Sequence, residues 1–316
     1  MPLNTLEKSI IKTLAYFDLF EYPLTATEVW KWLYRPEVSE EERSLFHIIK
    51  TLDTSTELQK YITLCEGFYC LQGCAHTIRE RKRRNNRVDH QLRKTMRIVK
   101  LLRFIPSIRM IAIASSLPIG NVKETSDIDL FIITRRNQIW KTRLFASGSL
   151  KLLRQRPDKE RTRDRFCLSF FVSDDKLNIE KAAFGNDDIV FQYYVQSFAP
   201  VYDPDKLYTK FFQENSWIAK HLPNAYFEQR LVNEVDRPLW LLFWHYFFNV
   251  ITWPFFNGRM SDWYCNLQLK IMPESLKSIA NIDSRVVISD QMLKFHDKDN
   301  RHEIHRMWLE RTKQYG

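Results

Sequence analysis

The sequence lacks the marks of a secreted, disulfide-stapled or repetitive protein. Its five cysteines are an odd number at spacings that fit no disulfide framework, so they read as reduced thiols and the expected compartment is the cytoplasm. The opening Met1-Pro2-Leu3-Asn4 carries neither a basic n-region nor a long apolar stretch, so no signal peptide is expected there. Internal repeats and low-complexity linkers are absent, and no Ser-His-Asp or Cys-His nucleophile pattern occurs. One apolar run, "PLWLLFWHYFFNVITWPFF" at 238–256, has the length of a membrane span. His245 and Asn249 interrupt it and Pro254 would bend it, so a buried or interfacial helix is expected and no membrane contact.

What is present is a large apolar inventory. Of 316 residues, 44% are hydrophobic and 14% aromatic, enough for two or three packed domains. The net charge of +10 is unevenly spread. Residues 79–103 hold 11 basic and 2 acidic side chains, and residues 135–165 hold 11 basic and 3 acidic, while residues 104–134 between them are close to neutral. This belt reads either as a surface for polyanions, triphosphate or nucleic acid, or as a pair of solvated helix faces.

The N-terminal segment reads as three helices and a hairpin. Leu6, Ile10, Ile11, Leu14 and Phe17 keep helical spacing after the N-cap Asn4. Thr25-Ala26-Thr27-Glu28 and Ser39-Glu40-Glu41-Glu42 are capping boxes that predict two further helices. "YITLCEGFYCL" alternates like paired strands about Glu66-Gly67, where glycine supplies a positive φ. Together these predict a winged helix over residues 1–75, a module that reads nucleic acid or docks protein. A basic helix over 76–103 opens a second unit, residues 76–186, with strand, loop, strand, a helix near 138–155 and the strand "RFCLSFFV". Residues 187–316 are expected to be mainly helical, and the fold class is α+β with a central mixed sheet.

The chemistry concentrates in "IAIASSLPIGNVKETSDIDLFIIT" (111–134). Asp127 and Asp129 are i and i+2 of a strand and so share a face. Two carboxylates that close repel unless a cation lies between them, and Mg²⁺ takes oxygen ligands and completes its shell with phosphate and water. Ile128 and the run Leu130–Ile133 anchor that strand, and the small-residue turn Ala114-Ser115-Ser116 lets backbone N–H groups approach a phosphate.

The turn Ser115-Ser116, then Gly120-Asn121, then Ser126-Asp127-Ile128-Asp129 resembles the signature of the polymerase-beta-type nucleotidyltransferase superfamily, in particular its minimal branch. The motif covers about twenty residues, and compatible strand and helix order extends to about 65. The resemblance implies a Mg²⁺-dependent transfer of a nucleoside monophosphate from a nucleoside triphosphate to a hydroxyl of RNA, protein or a small molecule. Asp127 and Asp129 would then be the catalytic metal ligands, and Ser115, Ser116, Gly120, Asn121 and Ser126 the triphosphate-binding residues. The sequence departs from the family pattern at two places. Ser115 replaces glycine, and the later strand carries Ser169 about where a third acid belongs, with Asp164 and Asp174 at the strand ends out of register. The alternative is a non-catalytic nucleic-acid-binding or nucleotide-sensing protein on the same fold. Two weaker candidates are a zinc cluster of Cys65, Cys70, Cys74 and His76, whose spacing fits no common site, and His296 with Asp297 and Asp299, which also reads as a helix start.

Overall fold

A computed structural model describes residues 2–158, 161–225, 234–252, 258–296 and 299–315. Three helices, α1 (Thr5–Asp18), α2 (Ala26–Lys31) and α3 (Leu45–Thr54), precede the hairpin β1 (Ile62–Cys65) and β2 (Phe68–Leu71). The expected N-cap Asn4 opens α1 and also forms a capping box with Glu7, and the expected box of Thr25 with Glu28 opens α2. The other expected box also forms, with the Ser39 amide donating to Glu42 at 2.9 Å, but it closes only a turn. The helix itself starts later, capped by Ser44. In the hairpin Cys65 pairs with Phe68, and Glu66 (φ 52°) and Gly67 (φ 80°) are both left-handed, as a two-residue primed turn demands.

The long helix α4 (Thr77–Leu102) leads into a mixed sheet. Strands β3 (Ile108–Ala114) and β4 (Ile128–Thr134), helix α5 (Ile139–Leu152) and strand β5 (Phe166–Ser173) follow. The last third adds α6 (Ile189–Gln196), β6 (Ala199–Tyr202), α7 (Leu207–Glu214), α8 (Leu239–Thr252), α9 (Gly258–Ile271), α10 (Glu274–Lys277), β7 (Val286–Ile288), β8 (Met292–Phe295) and α11 (Arg301–Lys313). The strand order is β6-β3-β4-β5-β8-β7, so the sheet crosses the boundary drawn at residue 187 and both its edges come from the region expected to be mainly helical. Only β4 and β5 among these neighbours run parallel, joined through α5.

The sheet is apolar on both faces because each is covered. Along β4, Phe131 and Ile133 pack with the N-terminal helices, α6, α7 and α11, whereas Leu130 and Ile132 pack with α4, α5 and α9. That alternation places Asp127 and Asp129 on the first of these faces, in line with Phe131. Each fully buried phenylalanine contributes about 1.5–3 kcal/mol to holding the strand in register, and Phe131, Phe170 and Phe171 are all inaccessible to solvent.

Within the apolar run, α8 is largely exposed, although Leu241 is buried. In α8 the side chains of Leu239, Phe243, Tyr246, Phe247 and Val250 are exposed, while the Trp244 indole and His245 bond the carbonyls of Phe104 and Arg103. Pro254 lies outside the described residues. Among those residues no helix is long and apolar enough to cross a membrane.

Candidate metal centre

Asp127 ends the loop before β4 and Asp129 is the second residue of that strand. Asp129 is flanked by Ala114 of β3 on one side and Cys167 of β5 on the other. A register shift between Asp129 and Phe131 inserts an extra β5 residue beside β4. Ligand atoms of Asp127, Asp129 and Cys167 all lie within 4.8 Å of one another. Burial, and then the neighbouring Asp127 charge, pushes the Asp129 carboxyl up to about 7. Burial also raises Asp127. The Cys167 thiol is driven well above its ordinary range, by burial first and then by both carboxylates, so it stays protonated and donates to Asp129. Two carboxylates held this close relieve their repulsion either by keeping a proton or by holding a cation between them.

The five residues expected around a triphosphate part company. Ser115 reaches the acids: its backbone is left-handed at φ 65° and its hydroxyl bonds Asp129. Ser116 instead lines an adjoining cavity of about 240 Å³ walled by Tyr16, Phe17 and Trp32. Gly120, Asn121 and Ser126 do not line the acidic cleft but shape the loop before it. Gly120 is left-handed at 78°, and a Cβ there would sit 3.2 Å from the Tyr22 hydroxyl. The Asn121 side-chain oxygen is buried and accepts from the Arg84 guanidinium at 2.5 Å. The Ser126 hydroxyl accepts from the Lys123 amide at 3.0 Å.

The third position beside the aspartates belongs to Cys167. Ser169 points to His296, 3.3 Å from its Nε2. Asp164 accepts from Gln91 at 2.8 Å, and Asp174 accepts from the Arg136 amide at 2.8 Å while pairing with Arg109, so neither reaches the acids. Cys167 lies two residues before Ser169, on the same face of the strand "RFCLSFFV". Its signal was the period of two, but which strand flanks Asp129 is a tertiary fact.

The acids open into a cleft of about 550 Å³ whose far wall is β8 and the start of α11. That wall carries His296, Lys294 and Arg301. Burial holds the His296 imidazole down near 4, so it is neutral, and its Nδ1 is buried without a partner. Arg301 pairs with Asp188, and with Asp299 at 2.8 Å. Lys294 lies 3.8 Å from Asp299 and donates to the Ser284 carbonyl at 2.5 Å. The two cations are therefore matched by two acids inside the wall. Asp297 lies outside the described residues. The cysteines of the weaker zinc candidate sit in and after the hairpin, with Cys70 opposite Thr63.

The basic belt divides in two. In its first half Arg81 pairs with Glu28 at 2.7 Å, Arg84 with Glu21 at 3.1 Å, Arg83 with Glu80 at 3.7 Å and Arg87 with Glu124 at 3.7 Å, while Lys82 reaches Glu66. Arg81 and Arg84 are buried, and the Arg81 guanidinium lies 4.2 Å over the Tyr22 ring. Arg81, Lys82 and Arg84 fasten α4 to the N-terminal segment and the hairpin, Arg87 ties it to the loop before β4, and Arg83 pairs within the helix. Comparison of the chain with family models, with curated proteins and with solved structures finds no match.

Proposed function

We propose that the chain is a Mg²⁺-dependent nucleotidyltransferase of the polymerase-beta type, moving a nucleoside monophosphate from a triphosphate to a hydroxyl acceptor. In this reading the N-terminal helices and hairpin are a winged-helix module and β3, β4 and β5 belong to the nucleotidyltransferase sheet. One observation carries it: Asp127 and Asp129 converge, with ligand atoms within 4.8 Å, at the mouth of a strand facing a cleft.

The donor set fits one Mg²⁺. Two carboxylates supply hard oxygen ligands, and the remaining positions suit water and phosphate. The protonated Cys167 thiol is a poor ligand for that ion, and its part is to hydrogen-bond Asp129 and fix its rotamer. When bound, the ion would neutralise the triphosphate and favour departure of pyrophosphate. The chain's own residues orient: β4 holds both acids rigidly, and the Ser115 turn sets their approach to the phosphates. A thiol in the place of a third carboxylate favours a second reading, a protein that binds Mg-triphosphate and signals its presence without turning it over.

Calorimetric titration with Mg-ATP, followed by an assay for pyrophosphate release, tests both. Wild-type binding that is lost in Asp127→Asn/Asp129→Asn is expected. Binding without release selects the sensor, and equal affinity in wild type and variant overturns the metal-centre reading.

A further inference from the structure

The second half of the basic belt is built differently from the first. Arg143 and Lys151 of α5, Arg154, Arg156 and Arg161 of the following loop, and Arg165 just before β5 converge on one cavity of about 640 Å³. Among the described residues none of these six cations is in a salt bridge, whereas those of Arg81–Arg87 are paired with acids. Asp158 is the acid in the lining, and it accepts from the Arg161 amide at 2.7 Å.

Two of the guanidiniums reach into the protein. Arg143 Nε and Arg156 Nη1 are fully buried and have no hydrogen-bond partner. The Arg143 guanidinium lies 4.3 Å over the Phe295 ring and donates to Gln268 at 2.6 Å. Burial first, and then the charge of Arg156, pulls Arg143 down to about 10. A buried charge without a counter-ion costs several kcal/mol, and like charges facing one cavity add repulsion. The loop is nonetheless tied in place: the Gln155 amide donates to Leu150 at 2.7 Å and the Phe166 amide to Gln155 at 2.8 Å. An anion in the cavity would supply the counter-charge that these guanidiniums lack among the described residues.

We infer that this cavity is a recognition site for a compact phosphate-rich anion of the oligophosphate class. The charges converge instead of forming the exposed row that a polynucleotide backbone follows, and planar guanidiniums match phosphate oxygens in pairs. Leu144, Ile271, Met272 and Pro273 give the cavity an apolar rim for whatever group carries the phosphates. The site stands on its own residues and needs no metal. It adjoins the aspartate cleft, since the Phe295 ring under Arg143 also lines that cleft.

The test is calorimetric titration of the full chain with sodium tripolyphosphate, with no divalent ion, at low and moderate salt. Binding that weakens with salt is expected, with a loss of about tenfold in Arg156→Gln and more in Arg143→Gln/Arg156→Gln. Lys151→Gln/Arg161→Gln changes exposed side chains, keeps the fold and should also weaken binding. Asp127→Asn/Asp129→Asn should bind tripolyphosphate as well as wild type does, which separates this site from the metal centre. ATP that displaces tripolyphosphate assigns the site to a nucleotide's phosphate tail, and ATP that does not assigns it to a free oligophosphate. No binding at low salt, unchanged affinity in the arginine and lysine variants, or binding of a short single-stranded RNA where tripolyphosphate fails, overturns the inference.

Discussion

Replacing Asp129 by asparagine should stabilise the metal-free protein, and the gain should appear only as pH rises. Burial and Asp127 lift the Asp129 carboxyl from 3.8 to about 7. A folded-state pKa above the unfolded value means the native protein prefers the protonated form. Below pH about 4 both states are protonated and the shift has no effect. Between there and about 7 the unfolded chain releases a proton that the native state retains, so wild-type stability falls as pH rises, and above about 7 the loss is complete. Each unit corresponds to about 1.4 kcal/mol, so the full shift would be about 4 kcal/mol. Partial solvent access to the half-buried site and sharing of charge between the two aspartates reduce this to the order of 1–2 kcal/mol.

Asparagine keeps an oxygen to accept from Ser115 and Cys167 but carries no charge. Thermal unfolding of wild type and Asp129→Asn across pH 4–8 should therefore give curves that meet near pH 4 and separate by about 2–5 °C at pH 8. Adding Mg²⁺ with triphosphate at pH 8 should narrow or reverse the gap, because the ion supplies what the repelling pair lacks and only the wild type binds it tightly. Parallel curves from pH 4 to 8, or a variant less stable throughout, would refute the reasoning.

Three further outcomes follow from other contacts. Ser115→Gly should bind Mg-triphosphate as well as wild type or better, because φ 65° suits glycine; a clear loss of affinity in a folded variant would make the Ser115 hydroxyl a working ligand. Arg84→Ala should lose about 2–4 kcal/mol in urea unfolding, since that buried guanidinium bonds Asn121, Glu21 and the Phe20 carbonyl, whereas the exposed Arg83→Ala should change stability by no more than about 0.5 kcal/mol; equal effects would mean that α4 is not fastened through Arg84. Cys167→Asp should tighten binding of Mg²⁺, because it adds a third oxygen ligand where ligand atoms already lie within 4.8 Å; weaker binding in a folded protein would show that the thiol's hydrogen bond to Asp129 matters more than ligand number.

Local signals in the sequence translated well. The N-cap at Asn4, the box at Thr25, the turn at Glu66-Gly67, the basic helix and the strand with the acid pair are all set by neighbours within four residues. The Ser39 box misplaced a helix start because a capping box also closes an isolated turn; the continuing helix needed the apolar face that begins at Leu45. Strands β6, β7 and β8 were not legible. They have three or four residues each, and β8 holds a buried lysine, tolerated because Asp299 and the Ser284 carbonyl meet it. A short strand with a charge inside has no pattern of its own and exists by pairing with β5.

The same limit governs the charges. Composition counts 22 basic residues in the two halves of the belt and treats them alike. Position separates them. The first turns of helix α4 lie where Glu21, Glu28, Glu66 and Glu124 come from loops and helices distant in sequence, so Arg81, Lys82, Arg84 and Arg87 become fasteners. In the loop after α5, Arg163 pairs with Glu124 and Asp164, but among the described residues Arg154, Arg156, Arg161 and Arg165 are in no salt bridge and face the cavity with Arg143 and Lys151. The cations in the aspartate cleft are matched by Asp188 and Asp299, so positive charge free to meet phosphate lies next door. A cation-seeking cleft lined by Phe295 and an anion-seeking cavity whose Arg143 stacks on that same ring form a pair suited to one ligand carrying both a metal and phosphates, or to two ligands held side by side. Competition between Mg-ATP and tripolyphosphate distinguishes these: mutual exclusion means one ligand spans both, and simultaneous binding means two.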